Sequence, residues 1–166
     1  MPPTALIRER GELPLSGASL TELLSSVLAK GKAFRFRAKG WSMAPFVKEG
    51  DVITVSPLRG RQPRTGEIVA FLHPASGRVA VHRVVRASPG AFLLRGDNSH
   101  DAEGPLAGER ILGVVTVVVR GGKRVRGVQG RFSPVVAFLS RSGALVRGLG
   151  LLRRLAGRTG KTKEGP

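Results

Sequence analysis

A chain of 166 residues, 41% of them hydrophobic, is long enough to bury the core of one domain and still carry short appendages. It contains no cysteine, which excludes disulfides, a thiol nucleophile and any thiolate metal site. Lys and Arg number 28 against 11 Asp and Glu, a formal net charge of +17 that draws the protein towards anionic surfaces, and from Arg120 onward twelve basic residues face one acidic.

Residues 1–15 carry Pro, Arg and Glu where a secretory signal would have an unbroken apolar core, and no run reads as an ordinary membrane-spanning helix. A short helix is predicted over 16–30. Leu20, Leu23, Leu24, Val27 and Leu28 form an apolar stripe, Ser19 and Glu22 have capping-box spacing, and Gly31 ends it. Residues 33–39 alternate, Phe34, Phe36 and Ala38 against Arg35, Arg37 and Lys39, as in a strand with one buried side. That strand delivers the chain to the loop Gly40-Trp41-Ser42-Met43-Ala44-Pro45. After the Gly50-Asp51 turn, 52–55 is a strand, 57–65 a loop rich in Gly, Pro and Arg, and 66–72 a second apolar strand. His73-Pro74-Ala75-Ser76-Gly77 turns the chain into a return strand over 78–86, with Ala80, His82 and Val84 on one face. Residues 91–94 lead into Gly96-Asp97-Asn98, and 111–120 with 123–128 form a last hairpin turned by Gly121-Gly122. The pattern is mainly β: a curled or barrel-like sheet over 33–128, an N-terminal segment 1–32 with its helix, and a basic tail 129–166.

Ser42 offers a hydroxyl in a tight loop, although most such serines are solvated or bond their own backbone. The ring of His82 looks into the packed side of its sheet or a groove edge, which also suits a core histidine bonded to backbone. His73, before a proline in a turn, is expected to be exposed, and His100 stands in a polar loop beside Asp97 and Asp101. These residues have neither the i, i+4 helical spacing nor the thiols of established metal sites, so no metal and no cofactor is expected.

Taken in order, the blocks Gly-Trp-Ser-Met-Ala-Pro with Gly50-Asp51, Gly66-Glu67-Ile68-Val69-Ala70-Phe71, Val81-His82-Arg83-Val84-Val85, Gly96-Asp97-Asn98 with Asp101, and Ile111-Leu112-Gly113-Val114-Val115 resemble the signal peptidase I family over roughly 34–120. Bacterial members, and LexA-like repressors, have a lysine where this chain has His82. The Val-His-Arg-Val-Val block is similar to the archaeal and endoplasmic-reticulum type, in which serine works with histidine. No lysine lies between Lys48 and Lys123, which argues independently against a lysine base.

The resemblance implies a serine endopeptidase with Ser42 as nucleophile and His82 as general acid and base. It implies Asp101 as the carboxylate that orients the imidazole, with Asp97 as competitor or as a brace for its own turn through backbone donors. Some bacterial relatives place an oxyanion-stabilising hydroxyl where this chain has Gly40, which leaves main-chain donors for that task; Gly40 equally serves the tight turn. Met43 packs beneath the serine or is ordinary core. The partner implied is an extended peptide or protein segment, bound as an added strand with small side chains near the cleaved bond.

The sequence departs from the resembling secretory enzymes in its expected lack of an N-terminal membrane anchor and of large cap insertions. In the tail, Phe138, Leu145, Leu149, Leu152 and Ala156 fall on one side of a helical wheel, with Arg147, Arg154 and Arg158 nearly opposite. Residues 132–158 are therefore predicted as an amphipathic helix, suited to an anionic membrane surface or to docking on the domain, and 161–166 as disordered. These features together place the protein in the cytoplasm or at a membrane periphery. The alternative from a different class is a non-catalytic basic binding module of the same fold, attached to membrane or nucleic acid. Sparse aromatics and the lack of a helix-turn-helix or RNA-binding signature weigh against nucleic acid. No pattern in the sequence speaks to oligomeric state.

Overall fold

The computed structural model describes residues 17–126. The predicted tail helix over 132–158, the predicted disorder over 161–166 and the first 16 residues lie outside them. Helix α1 (Gly17–Ala29) buries Leu24 and Leu28, two positions of the predicted stripe. It begins two residues before Ser19, so the capping-box pair lies inside the helix instead of at its start. Its end is as expected: Gly31 takes φ +71°, and the N–H groups of Gly31 and Lys32 return to the carbonyls of Leu28 and Val27. Thr21 ties the helix to the sheet, its hydroxyl donating to Gly17 O (2.9 Å) and accepting the Val79 N–H (3.1 Å).

Eight strands follow: β1 (Phe34–Arg37), β2 (Val52–Ser56), β3 (Ile68–Leu72), β4 (Val79–Ser88), β5 (Ala91–Arg95), β6 (Ala102–Ala107), β7 (Ile111–Arg120) and β8 (Lys123–Arg124). They form one antiparallel sheet in the order β1-β2-β7-β3-β4-β5-β6, with β8 paired to β7. β1 and β6 end that path, so the sheet is curled and not closed into a barrel. Register shifts in β2, β3, β4 and β5 supply the local twist that curling requires.

The curl gives β3 two buried faces. Ile68 and Ala70 enter one cluster with Leu24, Leu28, Met43, Ile53 and Val115; Val69 and Phe71 enter another with Val84, Phe92, Leu94, Leu106 and Ile111. All four β3 residues have no exposed surface, which matches their unbroken apolar run. β6 is not readable in the sequence. Its segment, Ala-Glu-Gly-Pro-Leu-Ala, holds a proline that only an edge position accommodates, and it buries Leu106 alone. Among the described residues no helix is long and apolar enough to cross a membrane.

Candidate active site

The loop after β1 is anchored at both ends. Gly40 adopts φ +84°, a left-handed conformation that side chains disfavour, and it starts the bend that leaves Trp41 and Ser42 exposed and Met43 and Ala44 buried. Met43 and Val47 enter the core beneath α1, joined by the Val47 N–H donating to Met43 O. Met43 is thus a core residue that also lines the cavity described below. At the far end the buried Asp51 carboxylate accepts the Lys48 N–H (2.8 Å) and two bonds from Arg120 (2.8 and 2.7 Å). Arg120 also donates to the carbonyls of Pro45 and Phe46. Burial pushes the Asp51 carboxyl up, but the bonds from Arg120 and the Lys48 N–H outweigh it and hold the group below its ordinary value.

The turn after β5 clamps the serine from the other side. The Asn98 N–H donates to Ser42 O (2.7 Å) and its amide to Trp41 O (3.3 Å). Gly96 has no room for a side chain, because a Cβ there would lie 2.6 Å from Ser42 O and 3.1 Å from Ser42 Cβ. Arg83 on β4 faces Arg95 on β5, and continuing that register by one residue sets Gly96 opposite His82. The turn that carries Gly96 thus packs on the serine loop where β5 leaves β4 beside His82. Asp97 is held by Arg83, whose Nε and Nη2 donate to its two oxygens (2.8 and 2.7 Å) while Nη1 donates to Gly66 O (2.7 Å). Both side chains have no exposed surface, and the guanidinium lies 5.1 Å from the centre of the Phe46 ring. Sequence reasoning gave Arg83 no role. The structure makes it the partner that fixes the turn against the serine loop.

His82 is buried on the face it shares with Ala80 and Val84, its ring 5.5 Å from that of Phe71. Glu103 on β6 places Oε1 3.3 Å from His82 Nδ1, and the same oxygen is 3.6 Å from His73 Nε2. His73 is accordingly half-buried, not the exposed turn residue expected, because the curl brings β6 over the end of β3. Burial lowers the His82 pKa most; the charges of Glu103 and Asp97 push it up, His73 pushes it down, and the balance lies below the ordinary histidine value. Asp101 is exposed and is not among the charges acting on His82. His100 is exposed, its carbonyl held by Arg95. The carboxylate set beside His82 is Glu103, which no sequence signal pointed to because its strand was itself hidden.

Gly40, Ser42, Met43 and His82 line one cavity of about 430 Å³, bounded by β1, α1 and the start of β4, with Phe36 and Val81 on its walls. A hydroxyl from a tight loop and a largely neutral imidazole from a strand thus open onto one cleft, the combination that nucleophilic acyl transfer uses. No curated protein matches the chain. A model of the Peptidase S24-like family matches residues 10–116, well over half of its length.

Proposed function

The chain belongs to the Peptidase S24-like family and has a serine-peptidase type of fold, and from that premise we propose that it is a signal-peptidase-like serine endopeptidase in which Ser42 attacks and His82 moves the proton. The observation that carries this reading is the shared cavity, with Ser42 and His82 both on its wall. The Ser42 hydroxyl adds to the scissile carbonyl carbon as His82 takes its proton; the oxyanion is met by main-chain N–H groups; the tetrahedral intermediate then collapses, and the leaving amine takes the proton back from His82. Water, activated by the same imidazole, releases the acyl group. A histidine whose pKa lies below its ordinary value is already neutral at neutral pH, the state a base requires.

The substrate is an extended segment of a peptide or protein, laid as an added strand along the outer edge of β4 above the apolar cavity wall. Asp101 has no part in this scheme, being exposed and remote in its effect on His82. The test is labelling by a serine-directed acylating probe. The native protein is expected to be acylated at Ser42, Ser42→Ala not at all, and His82→Ala at a rate lower by several orders of magnitude, with unchanged circular dichroism in each. A folded native protein that is not acylated would instead be the non-catalytic binding module of this fold.

A further inference from the structure

We propose that Glu103 is the residue that positions His82 for proton transfer, and that His73, which shares its carboxylate, makes this positioning depend on pH. The proposal rests on the Ser42 and His82 reading and deepens it. Its first support is convergence. A side chain from the edge strand β6, one from the end of β3 and one from the middle of β4 meet at a single oxygen, Glu103 Oε1.

The second support is what this cluster leaves undone. His82 Nδ1, His73 Nδ1 and Glu103 Oε2 are buried and make no hydrogen bond with any described residue. Native structures rarely tolerate such atoms without a function, since an unpaired buried polar group costs about 1–3 kcal/mol. Two ring nitrogens aim at one oxygen while the second oxygen stands idle, so a small rotation of the carboxylate decides which histidine it serves. Loose contacts of this kind before substrate binds are usual in catalytic sites and tighten when the reaction begins.

Three groups act electrostatically on His82, and Arg37, Lys39 and Arg78 line the cavity it opens onto. Glu103 comes from β6, His73 from the end of β3 and Asp97 from the turn after β5. Asp97 is neutralised by Arg83, and Phe71, the ring against His82, carries no charge. Glu103 is thus the anion able to respond when His82 takes the proton from Ser42, fixing the tautomer beforehand and stabilising the imidazolium afterwards. A proton on His73 opposes this twice, by drawing the carboxylate to itself and by placing a like charge beside the imidazolium. Acidification should therefore silence the site through His73 as well as through His82.

The experiment is a histidine side-chain NMR titration of the native protein, Glu103→Gln, Glu103→Asp and His73→Gln, run beside acylation by the serine-directed probe across pH. In the native protein His82 is expected to titrate in two steps, the second tracking His73, a readout independent of any variant's folding. Glu103→Gln is expected to lower the His82 midpoint and to slow acylation by about two to four orders of magnitude. Glu103→Asp should restore part of the rate, and His73→Gln should raise the His82 midpoint. A single-step native His82 curve, an unmoved His82 midpoint in Glu103→Gln, or shifts of the same sign in Glu103→Gln and His73→Gln would overturn the proposal. Should the native protein resist acylation, the titrations still decide the pairing, so a failure of the Ser42 reading is seen separately.

Discussion

Arg83 and His82 are neighbours on β4 that face opposite ways, and each builds a buried polar cluster with an acidic partner from further along the chain. Around Arg83 each guanidinium nitrogen has a partner, two on Asp97 and one on Gly66 O, with both side chains sealed from solvent. Around His82 gather a carboxylate from β6 at 3.3 Å and a second histidine from just past β3, yet three buried atoms stay without a hydrogen bond to any described residue. The saturated cluster has nothing left to offer a ligand and acts as scaffold, whereas the unsaturated one holds its capacity in reserve. Because one strand carries both, the rigid pair fixes the position of the His82 backbone one residue away.

The comparison breaks if the two clusters respond alike to mutation. Asp97→Asn leaves the Arg83 charge buried and unpaired, and the expected loss is about 3–5 kcal/mol of unfolding free energy in urea. His82→Gln should cost no more than about 1 kcal/mol while acylation at Ser42 disappears. Equal losses in the two variants would show that His82 is scaffold too.

Gly96→Ala sharpens the contrast, since the added carbon strikes both Ser42 O and Ser99 Oγ at 2.6 Å. The expected cost is about 1–3 kcal/mol. Acylation should fall further than stability does, because the serine itself is displaced. Thermal melts read beside probe kinetics separate the two effects.

Asp51→Asn is the smallest expected effect, and it depends on pH. The folded carboxyl titrates below its ordinary value, so its stabilisation is fully present above the unfolded carboxylate pKa and is lost as pH falls through the folded one. Arg120 is more than a third exposed, which screens the pair and limits the loss at pH 7 to about 1 kcal/mol. Urea midpoints of the native and variant proteins should differ at pH 7 and draw together as pH falls below the ordinary carboxylate range; a difference that persists in acid would assign the effect to packing.

Regular alternation made much of the sheet legible. The Phe34 and Phe36 alternation and the β-branched runs lie in the strands they suggested, the glycine-bearing turns flank them, and Ser42 and His82, chosen on residue type and resemblance, open onto one cavity. β6 was hidden because nothing in its own composition favours a strand; pairing with β5 and the burial of Leu106 impose the conformation. With it went Glu103, and the orienting carboxylate was sought at Asp101, in the polar turn just before. Arg83 was missed for a different reason. A charge in a valine-rich strand carries no local sign that a partner 14 residues on will allow it to be wholly buried.

By taking the Val79 N–H, the Thr21 hydroxyl closes one end of the outer edge of β4. Val84 turns its N–H and carbonyl towards Glu67 and Gly66 ahead of β3, and by alternation Val79, Val81 and Arg83 turn theirs the opposite way. At Arg83 the edge is already occupied by Arg95 of β5. Between these two points the proposed substrate strand would have the stretch centred on Val81, room for only about three residues of backbone. Such a berth gauges length and freedom before it reads side chains. On the proposed reading, a short unpaired stretch within a longer chain would fit there, and a segment already committed to a hairpin or helix would be turned away at the threshold.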